Sequence, residues 1–528
     1  MSNNDAAKNS DPSKSNFGWF RGIFLPIHNF ELKKFLPMCF MMMCILFNYN
    51  VLRDTKDTLV VNAPGAGAES IGFLKLSAVT PAAILFMVIF IKLVNIFKKE
   101  TIFYGIVTFF IGFFTLFGFI IYPNIEFFHM SLESIQNWQA AYPSFHWFIP
   151  VIGNWTFSLF YIFSELWGSV MIGMLFWQFA NQTTKPNEAK RFYGMYGFFG
   201  NLGLVAAGAL IQIAAAYAKS NAGMMENGME IDTFRENIKM LTMFIALAGF
   251  GIIYIYYWMQ KNVLTDPTLY NPEEITVKKK KEKMSVLESF KYILTNPYLM
   301  LIAGIIIAYG TVIVMVEGVW KGQIKLAFPD KNDYNNFMGI FTQYTGIVTM
   351  VLMIVGTNIL RRMGWLIAAL ITPILILVTS ALFFLLIWSD NNAAALGQIA
   401  TPETAFMGLS TVLIAVYVGM VQNISAKGTK YALFDPTKQM AYMPLDDETK
   451  TKGQGAVEVI GGRLGKSGGA FINSSLLAGI GGNVTLASLT WILGPLSVLI
   501  CLLWIGCVFG INRKMVALES DKNTESKA

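Results

Sequence analysis

One feature constrains this chain more than any other: an apolar stretch of bilayer length that keeps returning. Crossing the hydrocarbon of a membrane takes roughly 20 apolar residues of helix. Such runs recur from residue 35 to residue 511, separated by short polar breaks. A backbone in lipid must satisfy its own hydrogen bonds, so these runs are read as helices. Composition points the same way, with 54% hydrophobic and only 14% charged residues, against about 25% charged in soluble domains. A soluble chain of 528 residues would split into several domains with polar surfaces. The expected fold class is an all-α membrane protein.

Twelve transmembrane helices are expected, near 35–62, 70–97, 101–122, 147–180, 190–218, 236–260, 296–328, 334–360, 364–388, 404–434, 453–480 and 485–511. As one continuous helix, 148–180 would run roughly 50 Å, so it is expected to tilt or protrude. The 4 cysteines (Cys39, Cys44, Cys501, Cys507) lie inside apolar runs without metal-ligand or disulfide spacing and are read as small core residues. The polar N-terminus, 1–16, has no apolar core ending in a cleavage site and is not a signal peptide. The stretch 17–36 mixes aromatics with Arg21, Lys33 and Lys34 and is expected along the membrane surface.

Lysine and arginine orient the spans. The loops 62–70, 122–146 and 389–403 contain neither residue. The alternate loops carry Lys98 and Lys99, Lys185, Lys190 and Arg191, Lys278 to Lys281, Arg361 and Arg362, and Lys438, Lys450 and Lys452. Lys219 and Lys331 are exceptions. Both termini are therefore expected in the cytoplasm. The run KKKKEK near mid-chain reads as a solvated linker held by anionic lipid. It divides the chain into a cytoplasmic N-terminus (1–34), a six-helix bundle (35–260), a basic linker (261–295), a second six-helix bundle (296–511) and a cytoplasmic tail (512–528). The halves echo each other. GNLGLVAAGA (200–209) aligns with GRLGKSGGAF (462–471) at an offset of 262, which sets Thr55 on Glu317 and Glu165 on Lys427. Two parallel six-helix repeats are the pattern of the major facilitator architecture, whose substrate site lies between the halves near mid-membrane.

Charges inside spans are costly, so each is a functional candidate. Glu165 stands alone in an apolar run of more than thirty residues; the bland alternative is a packing tie to a lysine on a neighbouring helix. Glu317 lies in YGTVIVMVEGVWKGQIKLAF with Lys321 four residues on, so a local pair is its alternative. In FNYNVLRDTKDTLVV, Arg53 and Asp57 are spaced to satisfy each other, which leaves Lys56 as the expected free cation beside Asp54. GGRLGKSGGAF looks like a phosphate-binding glycine loop but has Ile460 where that motif needs glycine. It is read as close helix packing that brings Arg463 and Lys466 to a cavity. Lys427 and Lys430 are read as cavity residues or as the cytoplasmic end of their helix. A cavity with surplus positive charge suits a multivalent anion, and arginine and lysine suit phosphate oxygens.

LRDTKDTLVV, SELWGSV, LFWQFANQ, EAKRFYG, VEGVWKGQIK, YALFDPTKQMAYMPLD and LGKSGGA run in order through residues 35–480. Together they resemble the ATP/ADP translocase family of obligate intracellular bacteria and plastids, most of all its chlamydial members. The resemblance implies a fold similar to the major facilitator superfamily, with key charges at Lys56, Glu165, Glu317 and Lys466. It further implies ATP and ADP as substrates, with phosphate as a further possible one, in an antiporter of the bacterial inner membrane that works as a monomer. Neither catalytic residues nor a cofactor, a metal or nucleic-acid binding is implied. In the expected mechanism Lys56, Lys466, Arg53, Arg463, Lys321, Lys427 and Lys430 hold phosphates. Glu165 and Glu317 pair with lysines in the empty site or accept from the adenine amino group. Trp155, Tyr161, Tyr309 or Trp320 stack on the base. The alternatives are a proton-coupled nucleotide importer, a carrier of another organic phosphate and, of another class, a membrane enzyme or receptor.

Overall fold

The computed structural model describes residues 27–221, 225–226, 229–230, 232–270, 295–395, 410–445 and 447–525. Apart from two paired two-residue strands, Met225–Glu226 and Met229–Glu230, these residues form helices and short connections. The long helices are α1 (Leu32–Val61), α2 (Ser70–Ile96), α3 (Lys99–Phe128), α4 (Trp155–Thr183), α5 (Pro186–Ser220), α6 (Thr233–Asn262) and α7 (Pro297–Ala327). They continue with α8 (331–363), α9 (365–395), α10 (411–441), α11 (Asp447–Ile480) and α12 (Thr490–Glu525). The polar N-terminus 1–16, residues 17–26 of the surface stretch 17–36, the basic run 278–283 and the expected start of α10 at 404 lie outside the described residues.

Helix starts follow local chemistry. Asn296 accepts from the amides of Tyr298 and Leu299, Asp232 from Phe234 and Ser410 from Leu413, which satisfies amides that the first turn leaves open. Nine stretches of the described residues are long and apolar enough to cross a membrane, with 331–391 counted once. That stretch is two helices, because Gly364 adopts φ 79°, a left-handed backbone that breaks the rod without an intervening loop. α10 and α11 are not among the nine; they carry Lys427, Lys430, Arg463 and Lys466.

Three expectations are corrected. The rod expected over 147–180 breaks at Asn154, whose side-chain amide donates to the carbonyls of Pro64 and Pro150. Lys34, expected at the membrane surface, is 1% exposed and donates to Glu188 and to the carbonyl of Leu269. The last helix, expected to end near 511, continues as α12 to Glu525.

α1 packs against α5, α6 and α4, and α7 against α11, α12 and α10. The first six helices meet the last six along two seams. On one, α5 runs against α8, where Gly208 faces the backbone of Gly339 and Gln343. On the other, α2 crosses α11, with Gly72 against Ala470 and Ser474. At the ends away from the termini, a set of hydrogen bonds joins the two groups. Lys325 donates to the carbonyls of Val61 and Ala66 at 2.8 and 2.6 Å, and the Trp147 indole to Val484 at 2.7 Å. The amide of Gly482 donates to Pro143 and that of Leu486 to Glu69. Near the other ends, Lys34–Glu188, Arg191–Glu31 and Lys438–Glu458 each stay within one group.

Candidate functional site

Between these seams α1, α4, α7 and α10 converge, and their charged side chains meet. On α1 the charged residues fall within five positions, Arg53 to Asp57. Arg53 pairs with its neighbour Asp54 at 2.9 Å and donates to Thr342 of α8 at 2.6 Å, while Thr342 donates to Asp54. Lys56 is held by Asp57 at 3.1 Å and by Glu165 of α4 at 2.8 Å, with its ammonium 3.6 Å from the centre of the Tyr161 ring. Lys321 of α7 reaches Asp57 at 2.8 Å and Glu317 at 3.6 Å, and Lys427 of α10 reaches Glu317 at 3.6 Å. Phe341 of α8 presents its ring to Lys427 at 4.5 Å and to Arg53 at 5.9 Å.

Lipid cannot stabilise bare charges, so the chain brings them together where each has a partner. The pairing differs from the i,i+4 expectation. Arg53 takes Asp54 and Thr342 instead of Asp57, and Lys56 is not free but shared by two carboxylates. The reason is tertiary: Asp57 faces Lys321 of a neighbouring helix, so two helices compete for it. Glu165, isolated in sequence, finds its partner on α1. The repeat offset also acquires a geometric meaning. Glu165 on α4 ties to α1, and its counterpart Lys427 on α10 ties to α7, with the signs exchanged.

Exposure divides the cluster. Asp54, Lys56, Asp57 and Lys321 are buried, whereas the Glu165 side chain is 34% exposed and those of Glu317 and Lys427 are 17% exposed. On the latched side the cluster borders a cavity of about 20 Å³ lined by Glu69, Gly72, Lys75, Glu317, Lys321 and Asn473. It has room for about one water.

The remaining candidates lie elsewhere. Lys466 is exposed on α11 within electrostatic reach of Glu165, and Arg463 is exposed one turn earlier. Their helix sits close because Gly465 packs on Gly310 of α7, in keeping with the packing reading of the glycine-rich run. Lys430 pairs with Asp435 at 2.8 Å in the π-turn Lys430–Phe434 and does not join the cluster. Of the four aromatics only Tyr161 does. Trp155 is 46% exposed and donates to Phe128. Trp320 is fully buried and donates to Val416, which leaves neither face open to a base. Tyr309 stacks on Phe434 with ring centroids 5.3 Å apart. Buried indoles go where a carbonyl can take their N–H, and an apolar run does not show where that is.

The sequence reading missed Lys75 of α2 and Thr342 of α8. The signal for Lys75 was available, since a lysine within GFLKLSAVTPAAILF is as anomalous in lipid as Glu165. Thr342 gave none, because threonines are common in apolar helices.

The sequence profile described as TLC ATP/ADP transporter matches residues 10–515. ADP,ATP carrier protein 1 of Rickettsia conorii is 44% identical over 94% of this chain and 96% of the relative. ADP,ATP carrier protein 1 of Chlamydia muridarum is 44% identical over 96% and 93%. Among solved structures, a bacterial homologue of the iron transporter ferroportin in its inward-facing state superposes with TM-score 0.54 at 10% identity, covering 92% of this chain and 99% of that one. A D-xylose-proton symporter gives 0.53 at 12% identity, covering 90% and 97%. These likenesses establish the fold, that of the major facilitator transporters. With match and identity extending over nearly its whole length, the chain belongs to the TLC ATP/ADP transporter family, a multi-pass membrane protein.

Proposed function

We propose that this protein exchanges ATP for ADP across the inner membrane of a bacterium living inside a host cell, with both termini in the cytoplasm and one chain as the working unit. The observation that carries this reading is a charge cluster buried where α1, α4, α7 and α10 converge, in a chain whose 44% identical relatives are named ADP,ATP carrier protein 1. In the empty carrier the lysines are held by Glu165, Glu317 and Asp57. A polyphosphate entering from the side of the termini takes the lysines over, because phosphate offers more charge and more acceptor oxygens than one carboxylate. The carboxylates, relieved of their lysines, are then free to accept from the base.

Turnover follows as rocking of residues 35–260 against 296–511 about this centre. The far-side latch of Lys325, Trp147, Gly482 and Leu486 opens as the seams near the termini close. Returning empty would carry Lys466, which lies outside the paired cluster, through the closed state without an anion, so a nucleotide leaving by one side is replaced by one from the other. ATP of charge about −4 against ADP of about −3 moves one charge, worth roughly 2.3 kcal/mol per 100 mV.

The deciding measurement is uptake of labelled ATP into proteoliposomes. Vesicles loaded with ADP should accumulate ATP many times faster than empty ones. Equal uptake into empty vesicles, abolished by dissipating a pH gradient, would move the protein to proton-coupled import.

A further inference from the structure

Arg53, Lys56, Lys321 and Lys427 meet Asp54, Asp57, Glu165 and Glu317 in ion pairs of 2.8–3.6 Å, four cations against four carboxylates. The paired network is therefore neutral, and any surplus positive charge must come from outside it. Two lysines supply it within electrostatic reach of Glu165: Lys466 on α11 and Lys75 on α2. Lys75 also lies within reach of Glu317, Lys321 and Lys56. Its ammonium has no ion pair or hydrogen bond with any described residue, although its side chain is only partly exposed and lines the cavity beside Glu317 and Lys321.

The backbone holds it there. α2 widens into a π-turn over Lys75–Val79, and the Thr80 hydroxyl donates to the Lys75 carbonyl at 2.9 Å. Such single π-turns inside helices gather at functional sites. One turn earlier, Gly72 is the contact of α2 with Ala470 and Ser474 of α11. Lys75 thus stands at the seam between the first six helices and the last six, with Lys466 one turn before Ala470 on α11.

We infer that Lys75 is a further phosphate-binding residue, taking the terminal phosphate of a nucleoside polyphosphate from the first six helices while Lys466 takes it from the last six. The inference rests on the nucleotide reading above and deepens it. Lys56 and Lys321 must give up a carboxylate to bind phosphate, whereas Lys75 gives up nothing. Its contribution therefore grows with the charge of the ligand.

The test uses the full chain in nanodiscs, titrated with ATP, ADP, AMP and inorganic tripolyphosphate. Lys75→Gln should weaken ATP and tripolyphosphate on the order of tenfold to a hundredfold, the range for a charge-assisted hydrogen bond. ADP should lose less and AMP least, and Lys75→Arg should recover most of the affinity. Wild-type affinity for ATP and tripolyphosphate in Lys75→Gln would overturn the assignment. So would an equal proportional loss for ATP and AMP, or a loss that Lys75→Arg shares in full, since either marks damage to the helix. Tripolyphosphate binding that depends on Lys75, in a wild-type protein that fails to exchange ATP for ADP, would overturn the nucleotide reading and leave the Lys75 assignment standing.

Discussion

Lys56 holds two carboxylates at once, Asp57 at 3.1 Å and Glu165 at 2.8 Å, over the face of Tyr161. Truncating it leaves Asp57 to Lys321 alone, takes from Glu165 its ion-pair partner among the described residues, and removes a phosphate donor. Lys56→Ala should insert normally yet lose nucleotide affinity by roughly tenfold to a hundredfold, as expected for a contact of about 1.5–3 kcal/mol. Lys466→Ala should do the same with less change in stability, because Lys466 is exposed. Exchange kinetics equal to wild type in both variants would refute their roles. Glu165→Gln is a different perturbation. Lys56 keeps Asp57, the site gains one net positive charge, and the shape is preserved. Binding should hold or tighten while turnover falls, because a carrier moves substrate only if release is as easy as capture. A titration beside a transport assay on one preparation separates this from a packing role, which predicts that both stay intact.

Glycine placement governs how closely the helices approach. At Gly208 a methyl group would stand 2.5 Å from both the Gln343 amide and the Gly339 carbonyl, so the α5–α8 seam exists only without a side chain there. Gly208→Val should lower stability by about 1–3 kcal/mol, the usual cost of overpacking, visible as a lower melting temperature. Gly194, on the same helix, has nothing within 4 Å of a built Cβ. Gly194→Ala should therefore be neutral or stabilising by up to about 1 kcal/mol, since alanine is the better helix former. Equal effects at the two positions would contradict the close-packed seam.

Across the whole molecule, the two groups of six helices touch at the far ends through hydrogen bonds to backbone carbonyls and to the Glu69 carboxylate and through side-chain pairs such as Lys219–Asp333 and Asn237–Asn332, contacts that can be made and broken. Lys325 alone supplies two of them. Lys325→Met should weaken the latch and shift the empty carrier toward opening on that side. A cysteine placed at Ala68, which is 2% exposed and lines the small cavity, reports this. A membrane-impermeant thiol reagent should label it several-fold faster in the Lys325→Met background. Cys39, Cys44 and Cys501 are buried and would contribute little, whereas Cys507, expected in the core but partly exposed, is replaced by alanine in both backgrounds. Unchanged labelling would mean that Lys325 plays no part in holding the latch.

Length and hydropathy were enough to specify a helical membrane protein, because lipid leaves a spanning backbone few alternatives. The same solvent made Glu165, Glu317 and Lys56 conspicuous, since a charge in an apolar run has to be explained by something. Lys75 was equally legible and was overlooked. What one dimension could not supply was the choice of partners. Arg53 with Asp57 is as good a pair as Arg53 with Asp54 when only helical spacing is known, and the packing of α7 against α1 decides it by giving Asp57 to Lys321. Nor could it show which aromatics face the charges, because every face of a helix in an apolar run looks alike until its neighbours are in place. Solvent acts on each segment alone and is written in sequence. Pairing is a property of helices brought together, and only the tertiary structure holds it.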